Sequence, residues 1–253
     1  MGLWYETGNG MVKTKMARKS NNCVAFLCCG GPSLQGIDPS LLSGHNRIVF
    51  ALNNTYPFIK PDVWVGMDGP ECYRRDIFWQ PFMKIMRGGY QKYLCGDLEV
   101  KHLHNMYYVD VAEPEDKEDI FKLRAHDVKF VWKGNVLVTT LHIMIWMGIK
   151  KIYLFGCDLD NSKSDYYDKN IKLTDKQKKW NTDLYDEQIE YLKWFNKTGK
   201  KYGVELHSCS EGSKINDFIN YVNYKHAISA LEEGLPETKS LKHVLDTPKN
   251  KPL

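Results

Sequence analysis

The run Val24–Cys29 (VAFLCC) is apolar at all six positions and is cut off by Gly30-Gly31-Pro32-Ser33. An apolar run of this length without polar alternation is the pattern of a strand buried on both faces, as in the middle of a parallel sheet. The glycines remove side chains where the strand ends, and Pro32 and Ser33 suit the first turn of a helix. The turn reads two ways. It is either a tight strand-to-helix connection in which glycine supplies unusual backbone angles, or a place where backbone N–H groups point out of the sheet edge and hold an anion. It matches neither the dinucleotide fingerprint nor the P-loop.

Comparable segments recur. Arg47–Leu52, Val63–Met67, Met106–Val109, Val128–Trp132, Lys151–Phe155 and Val204–His207 read as strands, most of them ending on Gly, Asn or Asp. Val136–Met147 runs without Gly or Pro, and Thr182–Tyr202 carries Ile189, Leu192 and Phe195 at helical spacing, so both read as helices. This alternation predicts an α/β, Rossmann-like three-layer sandwich with a mainly parallel sheet in a single domain. Residues 22–224 would form that domain. Residues 1–21 read as an N-terminal extension and residues 225–253 as a polar C-terminal tail outside the core.

With 43% hydrophobic and 26% charged residues, the 253-residue chain can bury an ordinary core. Its net charge of +4 suits an anionic ligand without arguing for nucleic acid or membrane. No apolar stretch reaches the length of a membrane span, and the first residues lack a signal-peptide core, so a cytoplasmic location is expected. The seven cysteines are odd in number and form no C-x-x-C pair, which argues against a zinc site or a disulfide frame; they read as core.

In a parallel sheet, ligands bind beyond the carboxyl ends of the strands. Four such ends carry polar or glycine residues here: Gly30-Gly31-Pro32-Ser33, Asn53-Asn54, Asp68, and Asp158 with Asp160. Any one of them is explained as a turn residue, since Asn and Asp bond their own backbone and accept left-handed conformations. Four in one sheet point to a ligand cleft.

"GGPSL" after the first strand, "ALNNTY" after the second, and "GNVLVTTLHIMIWMGIKKIYLFGCDLD" resemble the bacterial lipo-oligosaccharide sialyltransferases. They are also similar to the wider family that includes flagellin-modifying motility accessory factors and archaeal hydroxymethylpterin diphosphokinases. The resemblance covers roughly Val24 to Tyr167 and runs more loosely to about Tyr221. It implies a GT-A-like variant of the fold that holds a nucleotide sugar without needing a metal. By position, Gly30, Gly31, Pro32 and Ser33 would lie under the nucleotide phosphate, and Asn53 would bond the nucleotide or the sugar. Asn54 and Asp68 would stand beside it, Asp68 where those enzymes place another asparagine. Asn135 would aim its side chain and the following helix amides at ribose or phosphate, and Tyr166 would bond the leaving phosphate oxygen. Besides Asp68, three features depart from the family. Gly30 replaces an asparagine, Asp160 stands where a second phosphate-binding tyrosine is expected, and "KQKKWNTDLYDEQ" holds no histidine where the family has its catalytic one. These departures point away from sialyl transfer and towards nucleotide-dependent transfer in general.

"CDLD" offers a second chemistry, because an Asp-x-Asp pair at a strand end can hold a divalent cation against a pyrophosphate. Asp158 and Asp160 could therefore hold Mg²⁺ or Mn²⁺, although no cofactor is firmly implied. The polar, lysine-rich stretch 160–183 reads as a lid, or else as a solvated insertion. As a lid, its Lys169, Lys172, Lys176, Lys178 and Lys179 would meet phosphate on closure. For a general base, His207, Asp183 and Asp186 are candidates, with less context for His102, His104, His126 and His142. The expected function is a nucleotide-sugar-dependent glycosyltransferase in which Tyr166, Asp158 and His207 act on the reaction. Its acceptor would be a glycan, a protein or a modified nucleic acid. An ATP-dependent diphosphokinase-like transferase with Mg²⁺ at Asp68, Asp158 or Asp160, and a non-catalytic nucleotide-binding module, are the alternatives. The oligomeric state is left open.

Overall fold

A computed structural model of the chain describes residues 2–7, 10–95, 98–113, 118–122, 129–132, 135–160, 166–170 and 172–233. The chain opens with β1 (Leu3–Thr7) and β2 (Gly10–Lys13), then β3 (Val24–Cys28), β4 (Arg47–Leu52), β5 (Val63–Gly66) and β6 (Met83–Arg87). Two short strands, β7 (Leu94–Cys95) and β8 (Leu98–Glu99), pair with each other before β9 (Met106–Val109). After β10 (Val111–Ala112) come the short helix α1 (Asp119–Lys122) and β11 (Phe130–Val131), which pairs with β10. The last part holds α2 (Val136–Met147), β12 (Lys151–Phe155), α3 (Asp175–Lys201), β13 (Glu205–Ser208), β14 (Asn220–Tyr221) and α4 (Tyr224–Glu233).

Ten strands form one sheet in the order β14-β13-β12-β3-β4-β5-β6-β9-β1-β2. Pairing is parallel from β14 through β9 and antiparallel across β9-β1-β2. β3 lies inside the sheet, and all five of its residues are buried. Ala25 and Leu27 join the core under α2 and α3, while Val24, Phe26 and Cys28 join a second core on the opposite face with residues of α4. This is the α/β three-layer arrangement with a mainly parallel sheet that the alternating apolar runs imply.

α2 is apolar nearly all round and buries residues on every side, as a helix wedged against a sheet must. Asn135 caps its start, and Gly148 ends it in the left-handed conformation at φ 93°. α3 begins with a capping box between Thr174 and Gln177 and buries Leu192 and Phe195. The sheet order reverses between β3 and β12, since the chain builds outwards from β3 in one direction and from β12 in the other. Such a reversal leaves a crevice at the carboxyl ends of those two strands.

Several expectations are corrected. Residues 1–21 are not an extension, because β1 and β2 complete the sheet and Leu3 and Trp4 are buried in it. The piece after Lys225 is not outside the core: Ala227, Ile228 and Leu231 of α4 are buried, and Glu232 pairs with Arg47 at 2.8 Å. Helix α3 starts at Asp175 rather than Thr182, so residues 175–183 are helical wall, not loop. The strand expected over Val128–Trp132 shortens to Phe130–Val131 and lies outside the main sheet. Val128, His126, residues 161–165 of the expected lid and the tail beyond residue 233 lie outside the described residues. Of the cysteines, Cys23, Cys28, Cys157 and Cys209 are buried as expected, whereas Cys72 is exposed and Cys29 half-buried. No helix among the described residues is long and apolar enough to cross a membrane.

Candidate active site

A cleft of about 670 Å³ opens at the crevice, floored by the ends of β3, β4, β5 and β12 and walled by the starts of α2 and α3. Of the site residues expected from sequence, Gly30, Gly31, Asn53, Asn54, Asp68, Asn135, Asp158 and Tyr166 line it; Pro32, Ser33, Asp160 and His207 do not.

The Gly-Gly-Pro-Ser turn has a different role from the one expected. Its anion is the protein's own, for Asp158 Oδ2 accepts the backbone N–H of Ser33 at 3.0 Å and its hydroxyl at 2.9 Å. Gly31 N–H donates to Gly156 O at 2.8 Å, locking the β3 and β12 loops together. A Cβ on Gly31 would lie 2.1 Å from Asp158 Oδ2 and 2.5 Å from Gly156 O. Gly31 itself has an ordinary extended φ of −72°, so glycine is required there by close approach and not by backbone angle. Burial pushes the Asp158 carboxyl up, and the two Ser33 hydrogen bonds oppose the shift. Gly30 makes room for the Tyr166 ring, whose Cδ1 would lie 3.2 Å from an added Cβ.

Two asparagines carry the polar character of the floor. Asn53 follows β4 at φ 50°, a left-handed conformation that asparagine tolerates, and its carbonyl accepts from the Trp64 indole. Its Oδ1 is buried without a hydrogen-bond partner. Asn135 is 8% exposed. Its Oδ1 caps α2 by accepting the Leu137 N–H at 2.7 Å, while its Nδ2 is buried and unpartnered. One unmet acceptor and one unmet donor thus stand in residues lining the same cleft, each costing about 1–3 kcal/mol when left unsatisfied. The Asn54 backbone is tied to the segment after β12: its carbonyl accepts the Tyr167 hydroxyl at 2.6 Å.

The α3 wall went unrecognised in the sequence. Gln177, Trp180, Asn181, Leu184, Tyr185 and Gln188 fall on one helical face and line the cleft. Trp180 is 64% exposed. The available signal was Thr174-x-x-Gln177, the capping box that starts this helix. The five lysines expected to meet phosphate, Lys169, Lys172, Lys176, Lys178 and Lys179, do not line the cleft; nor does any other Lys, Arg or His among the described residues.

His207 is corrected as well. β13 extends to Ser208, so His207 sits within the strand and not at its end, stacked on Tyr153 at 4.8 Å. Burial lowers its pKa, partly offset by Glu205. His142 is a core residue whose Nδ1 accepts the Val131 N–H at 3.2 Å and whose Nε2 faces the Tyr191 hydroxyl. That pattern fixes the neutral tautomer with the proton on Nε2. His102 is exposed at 60%, and neither it nor His104, Asp183 or Asp186 lines the cleft.

The Asp-x-Asp pair is split. Asp158 is turned to Ser33, whereas Asp160 lies outside the cleft lining with Oδ1 4.0 Å from Lys214 Nζ. No group of three His, Cys, Asp or Glu side chains suited to a metal ion occurs among the described residues.

No protein-family description and no curated protein matches the chain. Solved structures do resemble it. The MAf glycosyltransferase from Magnetospirillum magneticum AMB-1 is similar over 91% of this chain at 13% identity, with a TM-score of 0.50; the chain spans 38% of that protein. The monofunctional alpha-2,3-sialyltransferase Cst-I from Campylobacter jejuni matches over 91% of this chain and 100% of its own, at 14% identity and a TM-score of 0.45. The sialyltransferase CstII from the same organism, solved with cytidine-5'-monophosphate, matches over 79% of this chain and 84% of its own, at 15% identity and a TM-score of 0.40. At such identities the likeness is one of fold, and the chain shares the α/β architecture of the Magnetospirillum glycosyltransferase.

Proposed function

We propose that the protein is a nucleotide-sugar-dependent glycosyltransferase, and that the cleft holds its donor. The observation that carries this reading is the pair of unmet amide atoms, Asn53 Oδ1 and Asn135 Nδ2, in residues of one cleft at the sheet's switch point. A polar ligand seated there would satisfy both once each buried carboxamide atom turns to face it. Asn135 Nδ2 and the positive end of the 12-residue α2 suit the donor's phosphate, which needs no cation when amide donors and a helix dipole converge on it. Asn53 Oδ1 suits a hydroxyl or a base amine. Trp180 and Tyr185 offer aromatic faces on which a base or sugar ring stacks.

In the reaction the acceptor oxygen bonds the anomeric carbon as the anomeric bond to phosphate breaks, and the leaving phosphate takes the electron pair. Hydrogen bonds from Asn135, the α2 amides and Tyr166 stabilise the charge that develops there. Because Asp158 and Asp160 face different partners, turnover is expected to persist in EDTA.

The test is a thermal-shift and calorimetry panel of CMP, UDP, GDP, ADP and ATP with and without Mg²⁺, followed by nucleotide release from the corresponding nucleotide sugars. A ligand that binds only the folded chain raises its Tm by mass action. Nucleotide release in EDTA supports the reading. Stabilisation by ATP with Mg²⁺ alone overturns it in favour of diphosphate transfer, and tight binding without turnover overturns it in favour of a non-catalytic module.

A further inference from the structure

The geometry points to Asp68 as the general base of the transfer, an assignment that rests on the glycosyltransferase reading. Among the described residues lining the cleft there is no histidine or lysine, and the carboxylates are Asp68 and Asp158. Asp158 is 9% exposed and its Oδ2 is engaged by both the N–H and the hydroxyl of Ser33, so it is a structural acceptor. Burial pushes Tyr73 and Tyr185 up, and Cys157 is raised by its contact with Cys29 and by burial; all three keep their protons at neutral pH.

Asp68 lies solvent-exposed two residues beyond the end of β5, in the lining of the cleft. Its loop is fixed, because the Tyr73 hydroxyl accepts the Asp68 N–H at 2.8 Å. Glu71 folds back over Gly69, where an added Cβ would lie 2.1 Å from Glu71 Oε1, which brings a second carboxylate beside the Asp68 loop. The titratable groups that act on Asp68 are Glu71 and Tyr73, with Cys72 sensing both carboxylates. Across the cleft the titratable lining groups are Cys29, Cys157, Asp158, Tyr166, Tyr167 and Tyr185. Enclosure by the cleft walls first, and the Glu71 charge second, shift the Asp68 pKa upward, against a hydrogen bond from Tyr73. A carboxylate shifted upward is a stronger base than an ordinary one. Asp68 takes the acceptor hydroxyl proton as the new C–O bond forms and the nucleotide leaves with the electrons of the broken bond. It then returns the proton to water.

The test is release of free nucleotide from CMP-, UDP- and GDP-sugars by the full chain, with water as acceptor, across about pH 4 to 9. Asp68→Asn should lower turnover by about 10²- to 10⁴-fold while leaving donor affinity, read by calorimetry, within about threefold, and Asp68→Glu should restore part of it. Glu71→Gln removes a charge that raises the Asp68 pKa, so the acid limb of its pH–rate profile should move to lower pH, a readout that survives if Asp68→Asn folds poorly. Asp68→Asn turnover within about threefold of the parent, or an unmoved limb in Glu71→Gln, overturns the assignment alone. A parent protein that turns over none of the donors overturns the transferase reading and this assignment with it.

Discussion

Asn135 gives the sharpest separation of folding from function, because its two amide atoms have different work. Oδ1 caps α2 through the Leu137 N–H at 2.7 Å, and Nδ2 is the unmet donor assigned to phosphate. Aspartate caps as well as asparagine and its charge suits a helix start; against the cost of desolvating a carboxylate at a position 8% exposed, Asn135→Asp should lose no more stability than Asn135→Ala. Asn135→Ala loses the cap at about 1 kcal/mol, a fall in Tm of roughly 2–4 °C for a chain of this size. Affinity should run the other way. Removing the donor costs a hydrogen bond to a charged group, about 1.5–3 kcal/mol. Placing a carboxylate there adds repulsion of about 4 kcal/mol for unit charges roughly 4 Å apart at an effective dielectric near 20. Nucleotide affinity should therefore fall about 10- to 100-fold in Asn135→Ala and further in Asn135→Asp, since each 1.4 kcal/mol is tenfold. Thermal unfolding and calorimetry on the same preparations measure both orders. The reasoning fails if Asn135→Asp binds nucleotide like the parent, or if affinity simply follows stability across the two variants.

Gly31→Ala should expel Asp158 from Ser33, because the new Cβ falls 2.1 Å from its Oδ2; losing hydrogen bonds to a buried carboxylate costs about 3 kcal/mol. Thermal unfolding should register this as a Tm lower by roughly 6–12 °C, and a shift of under about 2 °C would show that the loops part freely. Asn53→Gly keeps the left-handed backbone at φ 50° and removes the side chain with its Oδ1, so titration should find donor affinity about tenfold weaker, while the relief of the unmet acceptor offsets glycine's entropic cost in the melting curve. The His142 pKa is lowered to about 3 by burial, so the folded chain keeps this ring neutral while the unfolded chain protonates it below about 6.5. The stability it contributes is complete above pH 6.5 and lost as pH falls towards 3, at up to about 1.4 kcal/mol per pH unit. Urea unfolding should show a shallower acid dependence in His142→Asn, whose Oδ1 can still accept from Val131.

What could be read from the chain divides along physical lines. β3, β4, β9, β12 and α2 announce themselves because each is a largely apolar stretch that needs no partner to be recognised. β6 does not, since Lys84 interrupts it; the lysine is nonetheless fully buried, its Nζ donating to the carbonyls of Gln80 at 2.6 Å and Phe82 at 3.1 Å. β1 and β2 escape notice because the edge strand β2 is exposed throughout and β1 beside it is buried only at its first two residues, so neither carries a full apolar pattern. For α3 the obstacle is composition: its first turns, DKQKKWN, are polar enough to pass for loop. One residue of strand length decides His207, for with Ser208 paired to Leu154 the histidine is inside the sheet.

The Gly-Gly-Pro-Ser turn shows where a sequence argument about chemistry fails even when its physics is sound. Free amides at a strand end do attract an anion, and one is there, but it is Asp158, separated from Ser33 by 125 residues. A carboxylate fixed in that position repels a phosphate from the same amides. On the proposed donor-site reading, the ligand's negative charge would be directed to the start of α2, where Asn135 keeps an unmet donor and no carboxylate takes part in the cap. On that reading, Asp158 would thus act by closing the Gly-Gly-Pro-Ser amides to the ligand rather than by taking part in its chemistry. The asymmetry also explains why Gly31 tolerates no side chain although its backbone angles are ordinary: the space a Cβ would occupy holds the carboxylate that closes the first site.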